Sequence, residues 1–186
     1  PLCRIIARLK DSLIFVVAAG NSGPRPWSIG SPGASPYAIT VGAWSAYYGG
    51  LANYSSRGPS GEYYETHPVQ WSNDLAKYGE DLMKPDVVAP GGGPVQEGQE
   101  PDLLYSGCSG WSEGSYDLLP LDFFGALRGT SMSSPMVAGL ISLAVERGLV
   151  RTAADIKRKL AALRHSKDAS VGYGLLSYPM FVEGLV

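Results

Sequence analysis

Residues 135–146, Pro-Met-Val-Ala-Gly-Leu-Ile-Ser-Leu-Ala-Val-Glu, leave a folded chain little choice. Met136, Val137, Ala138, Leu140, Ile141, Leu143, Ala144 and Val145 follow one another without a polar face, and a helix apolar all round has to be buried. Pro135 suits the first turn of such a helix, where its missing N–H costs nothing. A second run, residues 13–19 (Leu-Ile-Phe-Val-Val-Ala-Ala), is continuously apolar and ends at Gly20. It follows residues 2–10, where Leu2, Ile5, Ile6 and Leu9 recur at helical spacing opposite Arg4, Arg8 and Lys10. A short unalternating run after a helix fits a strand covered on both faces of a parallel sheet. Residues 37–43 and 86–89 read as two further strands, the second stopped by Pro90, and 123–127 as another leading into Gly129. Thr152, with Asp155 three residues on, predicts a capped helix to about Leu163, and 178–183 a last short helix. Helices alternating with apolar strands predict an α/β fold with a mainly parallel sheet.

The 186 residues, 45% hydrophobic and 17% charged, suffice for one domain with a core. A net charge of −2 argues against a nucleic-acid surface, and the longest apolar run is too short to span a membrane. The 24 glycines and 14 prolines cluster at 20–33, 49–61 and 89–114, which describes a scaffold whose loops carry the function. The first residue is Pro1, which suggests a fragment, a processed chain or an incomplete reading frame, so a missing leader says nothing about export. Cys3 and Cys108 have no metal-ligand spacing and read as unpaired small hydrophobes.

The most informative segment is Gly129-Thr130-Ser131-Met132-Ser133-Ser134-Pro135. A serine where a loop enters an apolar helix has its hydroxyl near unpaired N–H groups and the positive end of the helix dipole, which favours developing negative charge. The same position also suits an ordinary helix cap, and for a serine alone that is the stronger reading. The context decides. Residues 129–139, Gly-Thr-Ser-Met-Ser-Ser-Pro-Met-Val-Ala-Gly, resemble the nucleophile motif of the subtilisin-like serine proteases, with Met136 where many members have a histidine that is not the base. Residues 15–23, ending Ala18-Ala19-Gly20-Asn21-Ser22-Gly23, resemble the family's strand that carries the oxyanion-hole asparagine. An Asn at the carboxyl end of a buried parallel strand points into the crevice where α/β sheets bind ligands, although Asn-Ser-Gly taken alone suits a left-handed turn.

The resemblance implies Ser131 as nucleophile, Asn21 and the Ser131 amide as oxyanion donors, and Thr130 as a weaker hydroxyl donor. It further implies Ala18, Ala19 and Gly20 as one wall of the primary specificity pocket, Gly30 near its floor, and a cis Ser31–Pro32 bond. Residues 31–43, Tyr54-Ser55-Ser56-Arg57-Gly58-Pro59, the block Lys84–Gly91 and Gly172-Tyr173-Gly174-Leu175-Leu176 match further family blocks in order, the second and third in forms most similar to pyrolysin-like members. The fold expected is therefore the subtilisin-like three-layer α/β fold, incomplete, with residues 1–186 its C-terminal half and insertions at 60–83 and 92–122. The family's acid and base motifs, D-[ST]-G and H-G-T-H, do not occur here. His67 lies in the first insertion and His165 ends an amphipathic helix; both read as surface histidines.

The expected function is a serine endopeptidase fragment acting on polypeptides once a missing N-terminal half, in the same or a separate chain, supplies Asp and His; the 186 residues alone are expected to be inactive. A non-catalytic pseudoenzyme and one half of a split protease are the alternatives. No cofactor is required, and no ligand spacing indicates a metal, although calcium stabilises many family members. Family likeness points to an extracellular or secreted protein. Gly110-Trp111-Ser112-Glu113-Gly114 matches the esterase elbow G-x-S-x-G but lacks the strand-turn-helix context, and the Asn53-Tyr54-Ser55 sequon in an expected strand block reads as accidental.

Overall fold

The computed structural model describes residues 2–61, 66–93, 98, 102–107, 117–118, 124–164 and 166–183. The elements are α1 (Leu2–Leu9), β1 (Val16–Ala18), β2 (Ile39–Ser45), β3 (Gly50–Leu51), α2 (Pro68–Tyr78), a 3-10 turn (Gly79–Leu82), β4 (Val87–Pro90), β5 (Leu104–Gly107), β6 (Asp117–Leu118), β7 (Phe124–Leu127), α3 (Thr130–Glu146), α4 (Ala153–Leu163) and a π turn (Pro179–Glu183). Cys108, His165, Ser112 and its neighbours, and most of the 92–122 insertion lie outside the described residues.

The sheet is mainly parallel, as the apolar runs predict. Val16, Val17 and Ala18 align with Ile39, Thr40 and Val41, and β4 lies on the other side of β2, with Val41 opposite Val87. The short β3 closes antiparallel on the end of β2, and Leu175 bridges Val88 in parallel. Among the described residues nothing pairs with the second edge of β1. The helix α3 crosses β1, β2 and β4. Val137, Ile141 and Ala144 on α3 meet Ile39, Val41, Val87 and Ala89 from the sheet, with Ile156, Leu160 and Phe181 completing the core. Each large apolar side chain so buried contributes about 1.5–3 kcal/mol.

Four sequence expectations need correction. Pro135 is not in the first turn of its helix: α3 starts at Thr130, with Gly129 as its cap. The cap went unread because it depends on a glycine φ of 147°, which no side-chain pattern announces. Nor is α3 buried all round, since Met136 is 45% and Leu143 43% exposed. The amphipathic helix α1 likewise buries only Ile6, while Leu2, Ile5 and Leu9 stay exposed. In both cases no described element covers the apolar face. The Asn53 sequon sits in a turn rather than a strand.

Other expectations fit closely. Thr152 and Asp155 form a reciprocal capping box, the Asp155 N–H donating to Thr152 Oγ1 at 3.2 Å and the Thr152 N–H to Asp155 Oδ2 at 2.9 Å. The Ser31–Pro32 bond is cis. The segment 60–83, expected to be an insertion, holds a helix that the sequence does not announce, α2, docked by edge-on ring pairs of Trp71 with Trp27 and of Tyr78 with Tyr37.

Below the sheet, the block before β4 is saturated with partners. The fully buried Asp86 accepts the Thr40 N–H at 2.8 Å, Lys84 Nζ at 2.6 Å and Lys167 Nζ at 2.7 Å. Burial alone would raise this carboxyl, but the adjacent Lys84 and Lys167 charges outweigh it and hold it well below the carboxylate range. Lys84 also donates to the Ala38 carbonyl at 2.7 Å. Gly172 (φ 61°) lies so close that a Cβ would stand 2.2 Å from the Asp86 carbonyl oxygen, which fixes the closing segment 172–176 against β4.

Candidate active site

The strand β1 delivers its chain into a loop gripped by residues 54–56. The Ser56 N–H donates to the Gly20 carbonyl at 2.9 Å, the Ser22 N–H to Ser56 Oγ at 3.0 Å, and the Gly23 N–H to the Tyr54 carbonyl at 2.8 Å. A Cβ on Gly23 would sit 2.0 Å from the Ser55 carbonyl oxygen, so only glycine permits this approach. The left-handed backbone falls on Gly20 (φ 103°), while Asn21 is not among the described residues with positive φ. The reading of Asn21 as a left-handed turn residue is thereby excluded.

The second half of the site arrives from β7. Gly129 donates its N–H to the Gly91 carbonyl at 2.8 Å and turns the chain into α3. The next residue, Thr130, is buried and gives both its protons to one atom: its N–H and its hydroxyl donate to Asn21 Oδ1 at 3.1 and 3.0 Å. The same hydroxyl accepts the Gly20 N–H at 3.2 Å. Residues 109 apart are thus locked side by side. With Oδ1 occupied twice, the amide has one orientation, and its Nδ2, a donor of two protons, stands 3.3 Å from where a Gly129 Cβ would be.

Ser131, the second residue of α3, is exposed. Among the described residues no group accepts its N–H, and the Met132 N–H turns back to the Gly129 carbonyl at 2.9 Å. Pro135, four residues on, has no N–H to offer the Ser131 carbonyl. The first turn of α3 carries no acidic residue, so the positive end of the helix faces this point unneutralised. A cleft of about 370 Å³ opens beside it, lined by Leu104, Tyr105, Leu127, Ser131, Pro135 and Met136 among others. A hydroxyl here can attack an electrophile whose developing negative oxygen faces N–H donors.

The residues expected to form the specificity pocket are placed less simply. Ala19 is buried, and Gly20 lies against Ser56, whose Oγ would be 3.0 Å from a Cβ. Gly30 lines a different cleft, of about 850 Å³, with Cys3, Ser31, Asp74 and Tyr78. Gly33 connects the two regions, since a Cβ on it would meet the Ala18 carbonyl at 3.1 Å and the Gly30 carbonyl at 3.3 Å. His67 is exposed beside Thr66, just before α2. Sequence reasoning gave no role to Tyr54 or to Gly91–Gly93, which border the Gly129 turn. The only hints are the places of Tyr54 and Gly91 in family blocks.

No cluster of three potential metal ligands occurs among the described residues, and no described helix is long and apolar enough to cross a membrane. The subtilase (peptidase S8) family model matches residues 4–174. Among curated proteins the chain is 32% identical to pyrolysin of Pyrococcus furiosus over 164 residues, covering 73% of this chain and 9% of pyrolysin. It is 31% identical to the serine protease AprX of Bacillus subtilis over 167 residues, covering 86% of this chain and 32% of that one. The crystal structure of a lanthipeptide protease superposes with a TM-score of 0.67 at 17% identity, over 98% of this chain and 54% of that protein, which shows the shared fold. The chain therefore spans from about a tenth to about half of the relatives it matches. Since the family match runs over nearly the whole chain, and the fold agrees with it, the chain belongs to the subtilase family of serine proteases.

Proposed function

We propose that this chain supplies the nucleophile and the oxyanion hole of a serine endopeptidase. Ser131 attacks a peptide carbonyl, a His takes its proton, and an Asp orients that His. The tetrahedral oxyanion is held by Asn21 Nδ2 and the Ser131 N–H, and the reaction needs no cofactor. The observation that supports this reading is the double hydrogen bond from Thr130 to Asn21 Oδ1, which leaves Nδ2, 3.3 Å from the place of a Gly129 Cβ, as the amide's donor end. Thr130 acts through Asn21, because its hydroxyl proton is already spent there.

The acid and base come from a part of the domain outside this chain. Two features support that. The β1 edge is unpaired among the described residues, and the apolar faces of α1 and α3 are uncovered there. A groove of about 260 Å³ between β1 and α3 is lined by Ile14, Val16, Ala138, Ile141, Ser142 and Val145, mostly apolar surface that a further strand and helix would bury. Alone, residues 1–186 have no peptidase turnover. By family likeness the protein works outside the cell on polypeptide substrates.

The test is labelling of the full-length protein by a fluorophosphonate, followed by peptide mapping. Adduct on Ser131, absent in Ser131→Ala, supports the reading; a folded protein that leaves Ser131 unlabelled makes the chain a pseudoenzyme.

A further inference from the structure

Tyr54 touches both halves of the site. Its carbonyl oxygen accepts the Gly23 N–H at 2.8 Å, two residues beyond Asn21. Its hydroxyl, at the other end of the side chain, shares its one proton between the Gly91 carbonyl at 2.6 Å and the Gly92 carbonyl at 2.8 Å. The Gly91 carbonyl is the acceptor on which Gly129, two residues before Ser131, rests its own N–H at 2.8 Å. One oxygen thus receives the Tyr54 hydroxyl and the backbone of the nucleophile turn together.

The surroundings leave this carbonyl little room. The Gly91 N–H is tied to the Trp44 carbonyl at 2.9 Å, and a Cβ on Gly91 would stand 2.3 Å from Ser133 Oγ and 2.6 Å from Ala43 Cβ. The next two residues are held as well. A Cβ on Gly92 (φ 81°) would lie 2.2 Å from the Asp102 carbonyl oxygen, and the Gly93 carbonyl accepts Arg128 Nη1 at 2.9 Å. The glycines let the strand end pass under α3, and for the same reason they supply no side chain to brace it. Tyr54 supplies the brace from outside.

Resting on the protease reading above, we infer that Tyr54 is a positioning residue: a strut whose main chain holds the Asn21 loop and whose hydroxyl fixes the glycine loop that carries the Ser131 turn. It touches no reacting atom. It sets the separation between oxyanion donor and nucleophile, a distance to which reaction rates respond steeply. Burial pushes the Tyr54 hydroxyl up to about 12, so it remains a donor through the whole working range of a protease.

The experiment is Tyr54→Phe in the full-length protein, which keeps the ring and removes the donor. Active-site titration counts the folded sites, and rates are expressed per titrated site. The expected result is a fall of about tenfold in kcat and in the rate of Ser131 labelling, with KM within twofold, because the lost contact orders the reacting groups rather than the substrate. A kcat per site within twofold of the parent overturns the strut, and so does an equal loss in KM. Amide exchange gives a readout independent of activity: the Gly129 N–H exchanges about tenfold faster in Tyr54→Phe, and unchanged exchange overturns the inference. If the parent protein itself leaves Ser131 unlabelled, the protease reading fails, while the exchange measurement still decides whether the hydroxyl holds the turn.

Discussion

The strand β4 has two very different ends. At its start, the buried carboxylate of Asp86 is surrounded by two lysines and a backbone N–H, and a glycine is pressed against its carbonyl. At its finish, Pro90 leads into Gly91–Gly93, and the neighbouring Ser131 N–H and Asn21 Nδ2 have no described acceptor. The first end is saturated and the second is deliberately short of partners. A foundation needs every buried polar group satisfied, because an unpaired one costs free energy. A catalytic end needs the opposite, since donors already paired cannot meet a charge that appears only during reaction. On the proposed function, the same strand separates stability from activity by about its own length.

That contrast predicts separable mutational effects. The largest is expected from Asp86→Ala, which strands two buried lysine charges; chemical denaturation of the full-length protein should show a loss of about 3–5 kcal/mol. A loss under 1 kcal/mol would break the comparison at its foundation end. Asp86 also fixes a pH dependence. Its carboxyl titrates lower folded than unfolded, so its contribution is complete above the unfolded value of about 3.9 and lost as the pH falls further. The denaturation midpoint should therefore drop below about pH 4 in the parent, with a shallower fall in Asp86→Ala.

At the catalytic end, Asn21→Ala should lower kcat by about 10²–10³, the size measured for this donor in subtilisin, a member of the same family. The substitution should cost less stability than Asp86→Ala, about 1–3 kcal/mol, because the buried Thr130 N–H and hydroxyl lose their acceptor. A smaller effect sharpens the contrast from a third place: Thr152→Ala removes one arm of the capping box on α4, far along the chain from both ends, and should cost about 1 kcal/mol with no change in kcat. The smallest effect concerns Tyr54. Its hydroxyl titrates higher folded than unfolded, so the stability it brings is complete below its unfolded value of about 10 and fades as the pH rises toward about 12. A pH series of denaturation midpoints should show a decline above pH 10 that Tyr54→Phe makes shallower, the buried Tyr173 hydroxyl contributing the rest.

The parts of this arrangement that were legible in the sequence are those with local periodicity or a matched motif. Apolar runs gave β1, β2 and β4, and Thr152 with Asp155 marked the start of α4. The helix α2 was not read because its apolar residues do not form a buried stripe: Val69 is exposed, and the helix is held by the Trp27–Trp71 ring contact, a partner more than forty positions away. The strand expected at 123–127 is β7, but its partners β5 and β6 are short segments, β5 largely exposed, in which alternation says little. The start of α3 was misplaced because proline is a conspicuous marker and a glycine of unusual φ is not. Ser131 and Asn21 were identified by resemblance alone. What no residue pattern shows is the contact between Asn21 and Thr130, nor the way Tyr54 spans the two loops, because both depend on side chains brought together only by the completed sheet.

The proposed chemistry requires Asn21 and Ser131 to converge on one oxygen, and a crystal structure of the full-length protein with a fluorophosphonate bound to Ser131 measures this directly. The expected result is a phosphoryl oxygen about 2.7–3.1 Å from both Asn21 Nδ2 and the Ser131 nitrogen, with Thr130 still donating to Asn21 Oδ1. A phosphoryl oxygen turned into solvent, or an Asn21 amide rotated away from the adduct, would contradict it.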